Sequence, residues 1–206
     1  MVKDLAAAEQ GNIFNDGKCD RRGRFWAGTM HFAGLPRLPR GRLYRFEADL
    51  SHAVRETGIR TSNGIGWSPD DRTMYYTDTR VSRIHAYDYD IGTGDNARRR
   101  DFAMVPEETG YPDGLTVDSA GYVWSAHWCG GRVVRYAPDG AVHRVVATPV
   151  SRPTSVTIGG PHMRTLFITS AREGLSDAEL TREPLAGGIF AMEVEVAGLP
   201  EPRFAG

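Results

Sequence analysis

The chain has 206 residues, with 25 lysines and arginines set against 26 aspartates and glutamates for a formal net charge of -1. That balance argues against nucleic-acid binding and against an acidic tail, no run of about eighteen apolar residues offers a membrane span, and the opening "MVKDLAAAEQ" lacks the apolar core of a signal peptide. The expectation is a cytoplasmic globular protein that acts on a small molecule, with no nucleic acid, no membrane and no obligate protein partner.

Taken in chain order, the predicted elements are short strands with period-two alternation, separated by Gly, Pro and Asp turns. The segments "NDGKCDRRGRFWAGTM", "SNGIGWSPDDRTMYYTDT", "PDGLTVDSAGYVWSAHW" and "PTSVTIGGPHMRTLFITSA" repeat one pattern. In each, a polar residue stands before a small one, a strand follows, and a turn leads into a second strand. Aligning Asp16, Asn63, Asp113 and Thr154 gives spacings of 47, 50 and 41 residues, the period of four-stranded β-propeller blades. The second unit divides into "GIGWS", "TMYYTD", "RIHAYDYD" and "RRDFAMV", and the third into "GLTVD", "YVWSAHW", "RVVRYA" and "VHRVVA". The fourth shows three strands without a convincing outermost one, and "SDAELTREPLAG" within it reads as a surface loop with room for one helical turn. Residues 1–206 thus read as a single all-β propeller domain, N-terminally incomplete, with about four blades visible. Trp26, Trp67, Trp124, Tyr75, Tyr76 and Phe167 are expected to pack between blades, and Arg98, Arg99 and Arg100 to form a solvated face.

In a propeller the loops entering the innermost strands meet at one mouth of the central channel, so residues about fifty apart in sequence become neighbours. Asn63 and Asp113 can then direct side-chain oxygens at a common point, which suits a hard divalent cation. Each also stands before a glycine, where Asn and Asp are ordinary turn formers, and from the repeat alone the two readings stand level. Cys19 and Cys129 have no CxxC spacing and read as plain thiols. The histidines lack HxH or HExxH spacing. His127, near the end of a second strand, reads as a satisfied imidazole sooner than as a ligand.

Together with "SVTIGG", "TSAREGLS", "AGGIFAMEV" and the final "FAG", these segments resemble the SMP-30/gluconolactonase/LRE family from about Asn12 to Gly206. The resemblance implies a six-bladed propeller with one divalent metal ion (Ca, Zn, Mg or Mn) at its axis, and hydrolysis of a sugar lactone to the aldonic acid. It places metal ligands at Asn63 and Asp113, a general base also at Asp113, and a substrate-binding amide at Asn15. The family's third ligand, a glutamate in an "EGP" segment, has no counterpart here. Ile13 stands where many members have an arginine, and Ala33 near where others have an acid. The alternative is a calcium-binding or protein-binding propeller without catalysis, or an inactive fragment of a lactonase.

Overall fold

In the computed structural model, residues 11–34 and 38–206 are described; residues 1–10, the opening segment of the domain read as N-terminally incomplete, lie outside them. The fifteen strands form four antiparallel sheets, each built from consecutive strands. The first holds β1 (Asn12–Cys19), β2 (Phe25–His31), β3 (Gly41–Phe46) and β4 (His52–Ile59). The second holds β5 (Ser62–Trp67), β6 (Thr73–Asp78), β7 (Arg83–Asp90) and β8 (Asp95–Met104). The third runs through β9 (Tyr111–Val117), β10 (Val123–Trp128), β11 (Arg132–Tyr136) and β12 (Val142–Ala147). The fourth has only β13 (Pro153–Gly159), β14 (Thr165–Ser170) and β15 (Ile189–Glu193), as the sequence led one to expect. The first strands of the sheets lie side by side, β1 against β5, β5 against β9 and β9 against β13. This is a propeller arrangement of four blades.

Burial follows that arrangement. The second strands β6 and β10 are sandwiched between neighbouring blades and are buried on both faces, so they read as near-continuous apolar or small residues. The outer strands β8 and β12 are mostly exposed; β8 is rich in arginine and acidic residues, whereas β12 exposes valines. Trp26 and Trp67 meet edge-on at 6.0 Å between the first two blades, with Tyr76 in the same cluster. Tyr75 packs between the second and third blades and Trp124 between the third and fourth. Phe167 departs from the expectation. The alternation of β14 turns Leu166 and Ile168 into the cluster shared with the third blade, leaving Phe167 partly exposed on the opposite face. Arg98, Arg99 and Arg100 are solvated as expected, although Arg98 and Arg100 pair with Asp88.

Two buried carboxylates join turns to blades. Asp20 and Asp118 are both 0 % exposed. Each ends an inner strand within a D-x-x-G-x-x-W segment, Asp20 to Trp26 and Asp118 to Trp124. The Oδ1 of Asp118 accepts the backbone amides of Ala120 and Tyr122, while Oδ2 accepts Trp124 Nε1 at 3.0 Å and two nitrogens of Arg135 at 2.9 and 2.7 Å. Asp20 repeats the pattern with the amides of Arg22 and Arg24, with Trp26 Nε1, and with the Tyr89 hydroxyl of the second blade at 2.6 Å. Gly23 and Gly121 hold the left-handed conformation these turns require, at φ 79° and 85°. In the second blade Ser68 takes this place and its hydroxyl accepts the Thr73 amide.

The loop after β14 contains a six-residue helix, α1 (Asp177–Arg182), started by a capping box between Ser176 and Glu179. Beyond β15 the chain runs along the end of the channel opposite the entry loops. Ser119 donates to Ala197 O in the third blade, Glu201 pairs with Lys18 at 2.7 Å, Phe204 lies edge-on to Phe25, and Ala205 N donates to Gly23 O. The last residues thus strap the fourth blade back to the first.

Removing the Asp118 carboxylate leaves the Arg135 guanidinium buried without its partner, and Asp118→Ala is expected to cost about 3–5 kcal/mol in urea unfolding. A loss below about 1 kcal/mol would show that the turn holds without it.

Candidate active site

The residues singled out at the channel mouth share a backbone device. In the first three blades, two residues of the innermost strand face one residue of the second strand. The β1 pairing shifts between Phe14 and Gly17, the β5 pairing between Ser62 and Ile65, and the β9 pairing between Pro112 and Leu115. These are β-bulges, which re-aim a side chain without ending the ladder. The bulged pairs are Asn15-Asp16, Asn63-Gly64 and Asp113-Gly114. The alignment that matched Asp16 with Asn63 and Asp113 is therefore off by one. Asn15 is the equivalent of Asn63 and Asp113, and Asp16 occupies the place of a glycine. In the fourth blade the shift falls at Thr154, whose hydroxyl bonds that of Thr169 at 2.7 Å.

Glycine at the second bulge position is a packing requirement. A Cβ on Gly64 would lie 2.6 Å from Leu115 N and 2.7 Å from Asp113 O, and one on Gly114 would lie 2.8 Å from Ser155 Cα. The inner strands β5 and β9 therefore each approach the next through a glycine, which brings the bulges close together. Asn15 Nδ2 donates to Ser62 O at 2.7 Å and to Asn63 Oδ1 at 3.1 Å, and Asn63 Nδ2 donates to Thr79 Oγ1 at 2.8 Å. With both amide nitrogens engaged, Asn15 and Asn63 have their oxygens to offer.

Asp113 is half-buried, and burial first, then the like charge of Asp16, pushes its carboxyl up to about 8. Asp16 is raised as well, by burial. Among the described residues neither acid makes an ion pair. His127 is 1 % exposed and holds the segment ahead of Asp113. Its Nδ1 donates to Thr109 O at 3.2 Å and its Nε2 accepts the Tyr136 hydroxyl at 3.1 Å, and burial keeps it neutral by lowering its pKa to about 4. It is a satisfied structural imidazole, as its sequence position suggested.

Asn15, Asp16, Asn63 and Asp113 line an open cavity of about 870 Å³ together with Ser155, Arg80, Tyr111, Trp128, Arg152 and Glu173. Ile13 and Ala33 do not line it. Among the described residues no three His, Cys, Asp or Glu side chains are grouped as a metal-binding set; the cavity offers two carboxylates supplemented by two amide oxygens. That donor chemistry fits a hard divalent cation, since an acid pair with no cationic partner gains most from one. Sequence reasoning aligned Asp16 with Asn63 and Asp113 but gave it no part in the site, although it follows Asn15 directly. It also passed over Arg80 and Arg152, which lie in turns outside the repeated pattern.

Residues 2–172 match the model of the SMP-30/gluconolactonase/LRE-like region. The chain belongs to the SMP-30/gluconolactonase/LRE family. It is 43 % identical over 196 residues to a 6-deoxy-6-sulfogluconolactonase of Pseudomonas putida, covering 94 % of this chain and 66 % of that protein. It is 41 % identical over 193 residues to an L-arabinolactonase of Azospirillum brasilense, with 93 % and 63 % covered. Among solved structures, a calcium-binding protein, regucalcin, from Agrobacterium tumefaciens superposes with a TM-score of 0.91 at 32 % identity, over 97 % of this chain and 67 % of that one. This family member thus spans about two thirds of the length of the relatives it matches. Among its described residues no helix is long and apolar enough to cross a membrane.

Two outcomes test this geometry. Gly64→Ala forces the second and third blades apart at Asp113, and should lower unfolding free energy by about 1–3 kcal/mol, measured in urea. His127 has a folded pKa of about 4 against 6.5 for a free imidazole, so its contribution is whole above pH 6.5 and is lost as pH falls toward 4. The stability advantage of the native protein over His127→Gln should therefore shrink by roughly 3 kcal/mol between pH 7 and pH 4.

Proposed function

We propose that this chain carries the cation-holding and base-bearing part of a divalent-metal-dependent sugar lactone hydrolase. The observation that supports this most is the convergence of Asn15, Asn63, Asp16 and Asp113 on bulges at one channel mouth, in a chain about 40 % identical to named lactonases. Asn63 and Asp113 would hold the cation, with Asp16 adding negative charge beside them. When bound, the cation would supply Lewis-acid polarisation of the lactone carbonyl and offset the oxyanion charge of the addition step.

The protein's own groups carry the proton. Asp113, as carboxylate, takes a proton from the water whose oxygen attacks the lactone carbonyl carbon. The carbon-to-ring-oxygen bond then breaks, and the ring oxygen receives a proton to become the hydroxyl of the aldonic acid. Asn15, tied to Ser62 and Asn63 through its nitrogen, presents its oxygen to a sugar hydroxyl.

The same donor set also serves a propeller that binds calcium without catalysis, a reading favoured by the regucalcin likeness. Titration of the protein with calcium, zinc, magnesium and manganese beside a lactone-opening assay separates the two, since binding without turnover selects the second. Asp113→Asn should lower hydrolysis by about 10²–10⁴-fold and weaken cation binding in the same preparation, with far-UV circular dichroism unchanged. Turnover at the native rate in that variant would remove Asp113 from the mechanism.

A further inference from the structure

Lactone opening by Asn15, Asn63, Asp16 and Asp113 leaves two guanidinium groups of the same cavity without a task. Arg80 sits in the 3-10 turn Thr79–Val81 that follows β6, and its side chain is exposed. Its guanidinium carbon lies 5.8 Å from the centroid of the Tyr111 ring, and among the described residues that side chain has no hydrogen bond or ion pair. Arg152 precedes β13, lies 5.4 Å over Trp128, and donates to the backbone carbonyls of Glu173 and Gly174. Both arginines line the cavity that contains Asp113.

Several other arginines have acids beside them: Arg24 has Asp20, Arg135 has Asp118, and Arg98 and Arg100 share Asp88. Among the described residues, the one acid lining the cavity besides Asp16 and Asp113 is Glu173, on the loop that Arg152 braces. A guanidinium laid on an aromatic face keeps its planar fork of donors ordered and free for an oxyanion.

Resting on the lactonase reading, we propose that Arg80, with Arg152 on the same cavity, forms a subsite for an anionic substituent of the substrate. The preferred substrate is then a sugar lactone with a sulfonate, phosphate or carboxylate group remote from the ring carbonyl. A charge-assisted fork at this site favours the anionic lactone over its neutral counterpart by about tenfold.

The test compares kcat/KM for D-glucono-1,5-lactone and for its 6-phosphate, in the native protein, Arg80→Gln and Arg98→Gln. The ratio of the anionic to the neutral substrate should be about ten in the native protein and in Arg98→Gln, drop toward one in Arg80→Gln, and decline as salt is raised. A ratio near one in the native protein, or one that Arg80→Gln leaves unchanged, overturns the subsite. A second arm needs no turnover. Tryptophan fluorescence titrations with 6-phosphogluconate and gluconate should show the same preference and its loss in Arg80→Gln. If that preference holds while no lactone is opened, the lactonase reading fails and the anion subsite stands. If neither arm shows a preference, the subsite is wrong whatever the turnover.

Discussion

In the first and third blades the turn at the end of the inner strand is locked by a single group, a buried carboxylate, on which the next strand and a neighbouring side chain also depend. Asp20 and Asp118 have no exposure to water, so every oxygen lone pair must find a donor inside the protein. The donors come from three sources: the turn's own amides, the tryptophan of the next strand, and a side chain reached across strands or blades. One group thereby fixes the turn, the strand that follows and a neighbour. For Asp20 that neighbour is Tyr89 of the second blade, so the same carboxylate that shapes a hairpin also holds two blades together. A group with this many donors is costly to lose and hard to replace, because an isostere without charge cannot satisfy Arg135 or Arg24.

The opposite end of each inner strand is organised by a different device. There the ladder admits an extra residue, so one side chain in each of three blades turns toward the axis. Glycine at the following position lets the strands come close, and the first blade alone replaces it with an acid, Asp16. Among the described residues these two carboxylates have no ion-pair partner, and their mutual repulsion adds to the burial that raises the Asp113 carboxyl. Rigid turns at one end and re-aimed side chains at the other divide the labour within a single strand of seven or eight residues. Stability resides at one end and the cavity-lining side chains at the other.

Much of this was legible in the residues, and the exceptions have physical reasons. The blade count and three-stranded fourth sheet follow from the recurring strand-turn-strand segments, since turn residues and period-two alternation are local signals. Asn63 and Asp113 were found because each precedes a glycine at a repeat interval. Asp16 was given their place because spacing alone cannot tell which of two adjacent polar residues a bulge turns inward; the pairing register decides that. Phe167 was placed in the core on the strength of its ring, whereas the parity of β14 sends Leu166 and Ile168 inward instead. The D-x-x-G-x-x-W segments were visible in the letters, but the meaning of their aspartates depends on Trp, Tyr and Arg donors up to 69 residues away. Arg80 and Arg152 belong to turns, where no repeat marks them and only the cavity gathers them.

The strap formed by the last residues has a bearing on how the molecule assembles. Its contacts join Ala205 to Gly23 and Glu201 to Lys18, so they close the longest loops in the described chain. Closing a loop of that length carries an entropic cost that grows only slowly with length, but it must be met before the contact returns anything. Blades made of neighbouring hairpins can form early, each on its own local pairing, whereas the strap can dock only on a first blade already in place. During synthesis the first blade emerges well before its final contacts exist, and it must wait for them. The strap thus converts a row of locally folding units into one cooperative body at the last step.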